Sequence, residues 1–151
     1  QRQMCIRDRE EINARAEIHI ENYTTVLTIE AQTMADMLRR QILPAGQAAL
    51  RELGQTSRAK QEISPLLSCK AEELLGTQIA NYNDMLLAGC TLLENLLRDF
   101  PSGTEEQKAL YARDRLLPAM NELRQAADAL EQMCPAHLWP MPTYGELLYG
   151  V

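Results

Sequence analysis

Aromatic side chains are scarce in this sequence. One Phe, one Trp and five Tyr supply 5% of the 151 residues, so a core must come from Leu, Ile, Ala and Met, a mixture that favours helices. Basic residues are outnumbered, 15 Lys and Arg against 21 Asp and Glu. The resulting net charge of −6 excludes a binder of nucleic-acid phosphates, which needs clustered cations. Beyond the first ten residues the tight basic pair is Arg39-Arg40, with Arg58 and Lys60 close together later. No charge-free apolar run approaches the ~18 residues of a membrane span; "MLLAGCTLL" at 85–93 is the longest and reads as helix. Two His are too few for most metal sites. Four Cys, at 5, 69, 90 and 134, are too dispersed for CxxC, so reduced thiols in a cytoplasm are expected. Gly-rich phosphate loops, GxSxG and HExxH are missing from the sequence.

What is present is one domain's length of helical patterning. The opening "QRQMCIRDR" has neither an initiator Met in first place nor an apolar leader region. It reads as sequencing-adapter read-through, so residues 1–9 are set aside as non-native, and the chain is expected to be a fragment whose sequence before Glu10 is lost. Residues 10–134 are then expected to form a helical domain and 135–151 its extended tail.

The first helical stripe runs Ile12, Ala16, Ile20, Tyr23, Leu27, Ala31, Met34, Leu38 and Ile42. Ala45, Ala49 and Leu53 resume it after Pro44, where a kink or short break is expected, and Gly54 is the expected C-cap. A separate turn is expected at 57–63. Ser64-Pro65 then reads as an N-cap and first-turn proline of a second helix with the stripe Ile63, Leu67, Ala71, Leu74, Gln78, Tyr82, Met85, Gly89, Leu92 and Leu96. Pro101 and Gly103 end it. "TEEQ" at 104–107 fits a capping box for a third helix, bent at Pro118, with the stripe Ala109, Arg113, Leu116, Met120, Leu123, Ala127, Leu130 and Cys134. The fold expected is an all-α, elongated antiparallel three-helix bundle without internal repeats.

Chemistry-bearing residues are few. Glu17 and Glu21 share a helix face from which His19 points away, the pattern of a solvated surface; a di-iron bundle would need Glu-x-x-His on two helices, which the sequence lacks. Cys134 and His137 have ligand-like spacing in "CPAH", but no second pair closes a zinc shell and no third group orients a nucleophile. Cys134 therefore reads as a buried thiol at a helix end, and Met34, Met37 and Met85 as packing. No catalytic, cofactor-binding or metal-binding residue is assigned.

In the tail, Pro135, Pro140 and Pro142 forbid regular helix over 135–142, so an extended strap anchored by Trp139 is expected. A short terminal turn offering Leu147, Leu148 and Tyr149 is expected to follow. This ending resembles the carboxyl terminus of type III glutamine synthetases, the large-subunit class, which close on a pattern like LWPxPxYxELL. Here that is Leu138-Trp139-Pro140, Pro142, Tyr144 and Glu146-Leu147-Leu148. Residues 14–45, "ARAEIHIENYTTVLTIEAQTMADMLRRQILPA", resemble that family's segment after its catalytic domain, and 116–131, "LLPAMNELRQAADALE", its last long helix. The resemblance covers about 10–151 and is weak over 46–112.

The resemblance implies a parent enzyme that joins ammonia to glutamate through γ-glutamyl phosphate, using ATP and Mg²⁺, in double-ring oligomers. It implies that the residues holding those groups lie in the preceding catalytic domain, so none maps here. The expected role is structural, with the catalytic domain and neighbouring subunits of a ring as partners. The alternative from another class is a free-standing helical interaction module; a third is a bundle enzyme using Cys134 and His137.

Overall fold

A computed structural model describes residues 2–142 and Leu148, with side chains from Glu11 onward. Every regular element among the described residues is helical, and the elements form three rods. Rod one is α1 (Arg2–Met37), a π turn (Leu38–Ile42) and α2 (Leu43–Ile63). Rod two is α3 (Lys70–Arg98). Rod three is α4 (Glu105–Tyr111), a second π turn (Ala112–Leu116) and α5 (Leu117–Glu131). Short connections reverse the chain twice, giving the antiparallel all-α bundle expected. Cross-rod contacts fix the register: Gly46 lies on Asn83, Arg39 on Glu94 and Gly89 on Leu123. At about 1.5 Å per residue, rod one is roughly 90 Å long.

Neither inner proline breaks its rod. Pro44 and Pro118 each follow a π turn, in which the residue before the proline donates its N–H five residues back: Leu43 to the Leu38 carbonyl and Leu117 to the Ala112 carbonyl. Proline lacks an N–H, and its ring crowds the carbonyl four residues earlier; the wider turn gives that ring room and keeps the helix continuous. The same solution stands on closely similar sequences, "RRQILPA" at 39–45 and "RDRLLPA" at 113–119. This is a local recurrence that the expectation of no repeat passed over.

Two further boundaries differ from expectation. Gly54 does not cap, and 57–63 is no separate turn, because α2 runs through both to Ile63. The last turns of α2 are held against the start of α3, where Lys60 Nζ meets Glu72 Oε1 at 2.5 Å, so tertiary contact carries the helix past the glycine. Gly54 is exposed, with nothing within 4 Å of where a Cβ would stand. Gly54→Ala is therefore expected to stabilise the domain by about 0.5–1 kcal/mol, read as a higher melting temperature; a lower one would place Gly54 in a strained cap. Ser64-Pro65 does not start α3 either. Ser64 is extended, at φ −162° and ψ 131°, and closes a turn by accepting from Leu67 N–H at 3.1 Å. The helix begins at Lys70, with Glu72 and Glu73 in its first turn, where acids suit the helix dipole.

The capping box is as expected. Gln107 N–H donates to Thr104 Oγ1 at 3.3 Å and Thr104 N–H to Gln107 Oε1 at 3.2 Å. Gly103 leaves space for that side chain: a Cβ there would stand 2.0 Å from Gln107 Oε1.

The core is aliphatic: Leu27, Ala31, Leu38 and Ile42 from rod one, Ile79, Leu86, Cys90 and Leu93 from α3, and Leu116, Met120, Leu123 and Leu130 from rod three. On α3 the buried face is turned one residue from the expected stripe. Met85 and Leu92 are exposed while Leu86 and Leu93 are buried, because α3 lies between two rods and fills the space between them. On rod one, Ile12, Ala16 and Tyr23 are exposed and Thr24 is buried instead. The loop entering α4 packs level with Glu21–Gln32, so the earlier turns of α1 extend beyond it.

After α5 the chain makes one 3-10 turn, Ala136–Leu138, before Trp139, where an extended strap alone was expected. Trp139 is buried. The expected terminal turn lies outside the described residues, except that Leu148 is helical and exposed. The side chains of residues 1–9 lie outside them too. No helix among the described residues is long and apolar enough to cross a membrane.

Candidate functional site

The structure separates Cys134 from His137. Cys134 lies three residues past the end of α5, its N–H bonded to the Leu130 carbonyl at 3.0 Å, and its thiol is buried in the core. Burial pushes that thiol's pKa up, the reverse of what an activated nucleophile needs. His137 is exposed on the surface, with Nε2 3.0 Å from Glu52 Oε1 of α2. Glu17, His19 and Glu21 are exposed on α1. Among the described residues no three of His, Cys, Asp and Glu converge.

Arg39 and Glu94 form a group that the sequence reading missed. Arg39 sits in the first π turn and grips Glu94 of α3 with two hydrogen bonds, the second at 2.6 Å from Nη2. The bond from Arg39 holds the Glu94 carboxyl below its usual range. Beneath the pair, Cys90 is fully buried, its Sγ 3.6 Å from the Ala35 carbonyl and 3.8 Å from Glu94. Burial and the neighbouring carboxylate hold that thiol protonated. The cluster clamps α1 to α3 and presents no reactive group. Arg39 is visible in sequence as half of a basic pair, but nothing in sequence marks Glu94, 55 residues away, as its partner.

Among the described residues a groove of about 550 Å³ lies between α1 and α5. It arises because α5 packs along α3 and only touches α1, leaving an open seam. Met34, Met37, Met120 and Met141 line it with Leu38, Ile42 and Leu123; Trp139 closes one end, and Glu30, Arg124, Asp128 and Glu131 edge it. Methionines adapt to irregular apolar partners, and a long apolar furrow of this kind suits a helix. Met34 and Met37, read as packing, are therefore only partly buried walls of an open surface, and Met85 is an exposed edge of α3.

Against known proteins, residues 1–61 match the family described as the glutamine synthetase C-terminal domain; that span begins within the segment set aside at 1–9. A glutamine synthetase of Butyrivibrio fibrisolvens is 29% identical over 95% of this chain and 21% of its own length. A type-3 glutamine synthetase of Dictyostelium discoideum is 25% identical over 92% of this chain and 20% of its own. A glutamine synthetase of Bacteroides fragilis (strain YCH46) is 22% identical over the same shares. The chain thus spans about a fifth of the length of these curated relatives. No solved structure matches.

Proposed function

We infer, from a chain whose first rod matches the glutamine synthetase C-terminal domain and whose relatives are glutamine synthetases, that it serves a glutamate–ammonia ligase as a helical part without a catalytic site of its own. Its role in this reading is structural: it rests on the ligase's catalytic domain and supports contacts with neighbouring subunits of a ring, in the cytoplasm. The observation that carries the reading is the family match along rod one.

The donors among the described residues do not suit a magnesium–nucleotide complex, since no three carboxylates or imidazoles converge. ATP and Mg²⁺ are assigned to the rest of the ligase, and the chemical steps go with them. Given glutamate, ammonia, ATP and Mg²⁺, the purified chain is expected to form no glutamine above a buffer control; sustained formation by the chain alone overturns the reading. Genomic DNA upstream of the Glu10 codon is expected to continue an open frame encoding ligase sequence. A start codon near Glu10 would favour a free-standing interaction module instead.

A further inference from the structure

The side of α1 turned away from α3 carries a second apolar row. Ile18, Val26 and Ile29 are 56%, 54% and 56% exposed, and with Asn22, Thr33 and Met37 they follow one another at helical spacing. Thr33 and Met37 also form part of one wall of the methionine groove, so row and groove are continuous. Each end of the row carries an ion pair on the same side of the helix. Before it, Glu11 and Arg15 meet at 2.6 Å; at its other end Asp36 and Arg40, on either side of Met37 in sequence, meet at 2.7 Å.

Both pairs have the same spacing and the same order, acid before base. An antiparallel copy of this helix reverses that order, so acid meets base at both ends of the row. A parallel copy in register sets like on like.

We propose that this row and groove form a two-fold interface with a second copy of this chain. α1 lies antiparallel on α1 of the second copy with Val26 near the axis, so that Glu11 faces Arg40 of the second copy and Arg15 faces its Asp36. In this register Ile18 enters the groove of the second copy beside Thr33 and Met37. The contact is isologous and closes on itself, as cyclic dimers do. Its apolar centre excludes water, and the charges at its ends set direction and register more than strength. This contact is built from the α1 row and the groove between α1 and α5, and it does not rest on the ligase reading.

Sedimentation equilibrium of the full 151-residue chain tests it. A dimer is expected, and a chain that stays monomeric at ~100 µM overturns the proposal. The double variant Val26→Glu/Ile29→Glu alters only exposed positions; it is expected to keep its helical circular dichroism and become monomeric, whereas a folded variant that still dimerises places the contact elsewhere. Two charge variants test the register. In one, Glu11→Arg and Arg15→Glu are combined; in the other, Asp36→Arg and Arg40→Glu. Each keeps its pair within the helix but opposes like charges across the contact, so each alone is expected to self-associate at least about tenfold more weakly than the parent. An equimolar mixture restores four opposite pairs and is expected to form heterodimers. Equal association by both variants alone and mixed overturns the antiparallel register.

Discussion

Trp139→Ala is expected to lower the unfolding free energy by about 3–5 kcal/mol, the usual result of removing a large aromatic side chain from a packed interior. Trp139 is 9% exposed and belongs to the core although it lies past the last long helix. Its backbone N–H, bonded to the Ala136 carbonyl at 3.2 Å, completes the single 3-10 turn, and its ring closes one end of the groove between α1 and α5. Truncation removes the ring's packing and opens that end to solvent. For a domain of this size the change corresponds to a fall in melting temperature of roughly 10 °C. Trp139→Phe is expected to cost much less, because the buried indole Nε1 donates to no partner among the described residues, so its loss leaves none of their acceptors unpaired. Thermal denaturation followed by circular dichroism decides the matter. An unchanged midpoint for Trp139→Ala would mean that the tail contributes nothing to the fold.

The second large effect separates two adjacent residues of α3. Leu86 is fully buried between the outer rods, whereas Met85 is 58% exposed at the edge facing α5. Leu86→Ala is expected to cost about 2–5 kcal/mol through lost burial and the cavity left behind. Met85→Ala is expected to stay within about 0.5 kcal/mol of the parent. Denaturant midpoints at unchanged slope measure both. The reverse order would restore the stripe that periodicity alone selects.

That stripe shows where a sequence stops being legible. On rod three, helical spacing identifies Leu116, Met120, Leu123 and Leu130 correctly, because α5 buries one face mainly against one neighbour, α3. On α3 the same rule falls one residue off, since a helix between two neighbours carries apolar residues on both sides of its true centre, and counting cannot tell the flank from the middle. Gly89 belongs to that flank: it admits Leu123 so closely that a Cβ would stand 2.7 Å from Cδ2. Thr104 and Gln107 were readable because a capping box is local, needing no knowledge of the rest of the fold. Gly54 misled for the opposite reason, its helix being prolonged by a contact between Lys60 and Glu72 that forms only once the hairpin has closed. The thiol and imidazole of Cys134 and His137 are near in sequence, but the first is buried in the core and the second is exposed beside Glu52, an outcome the spacing does not reveal. The methionine groove had no sequence signature of its own, because it is a gap between α1 and α5 rather than a property of either.

A π turn holds one residue more than the α turn it replaces. Rods one and three each carry such a supernumerary residue just before Leu-Pro, and each shifts the phase of every side chain downstream. Homologues that differ by a single-codon indel at these two places can therefore keep the same interior, with the length difference absorbed where the helix is already loosened. The same indel elsewhere in a rod would swing its apolar side into water.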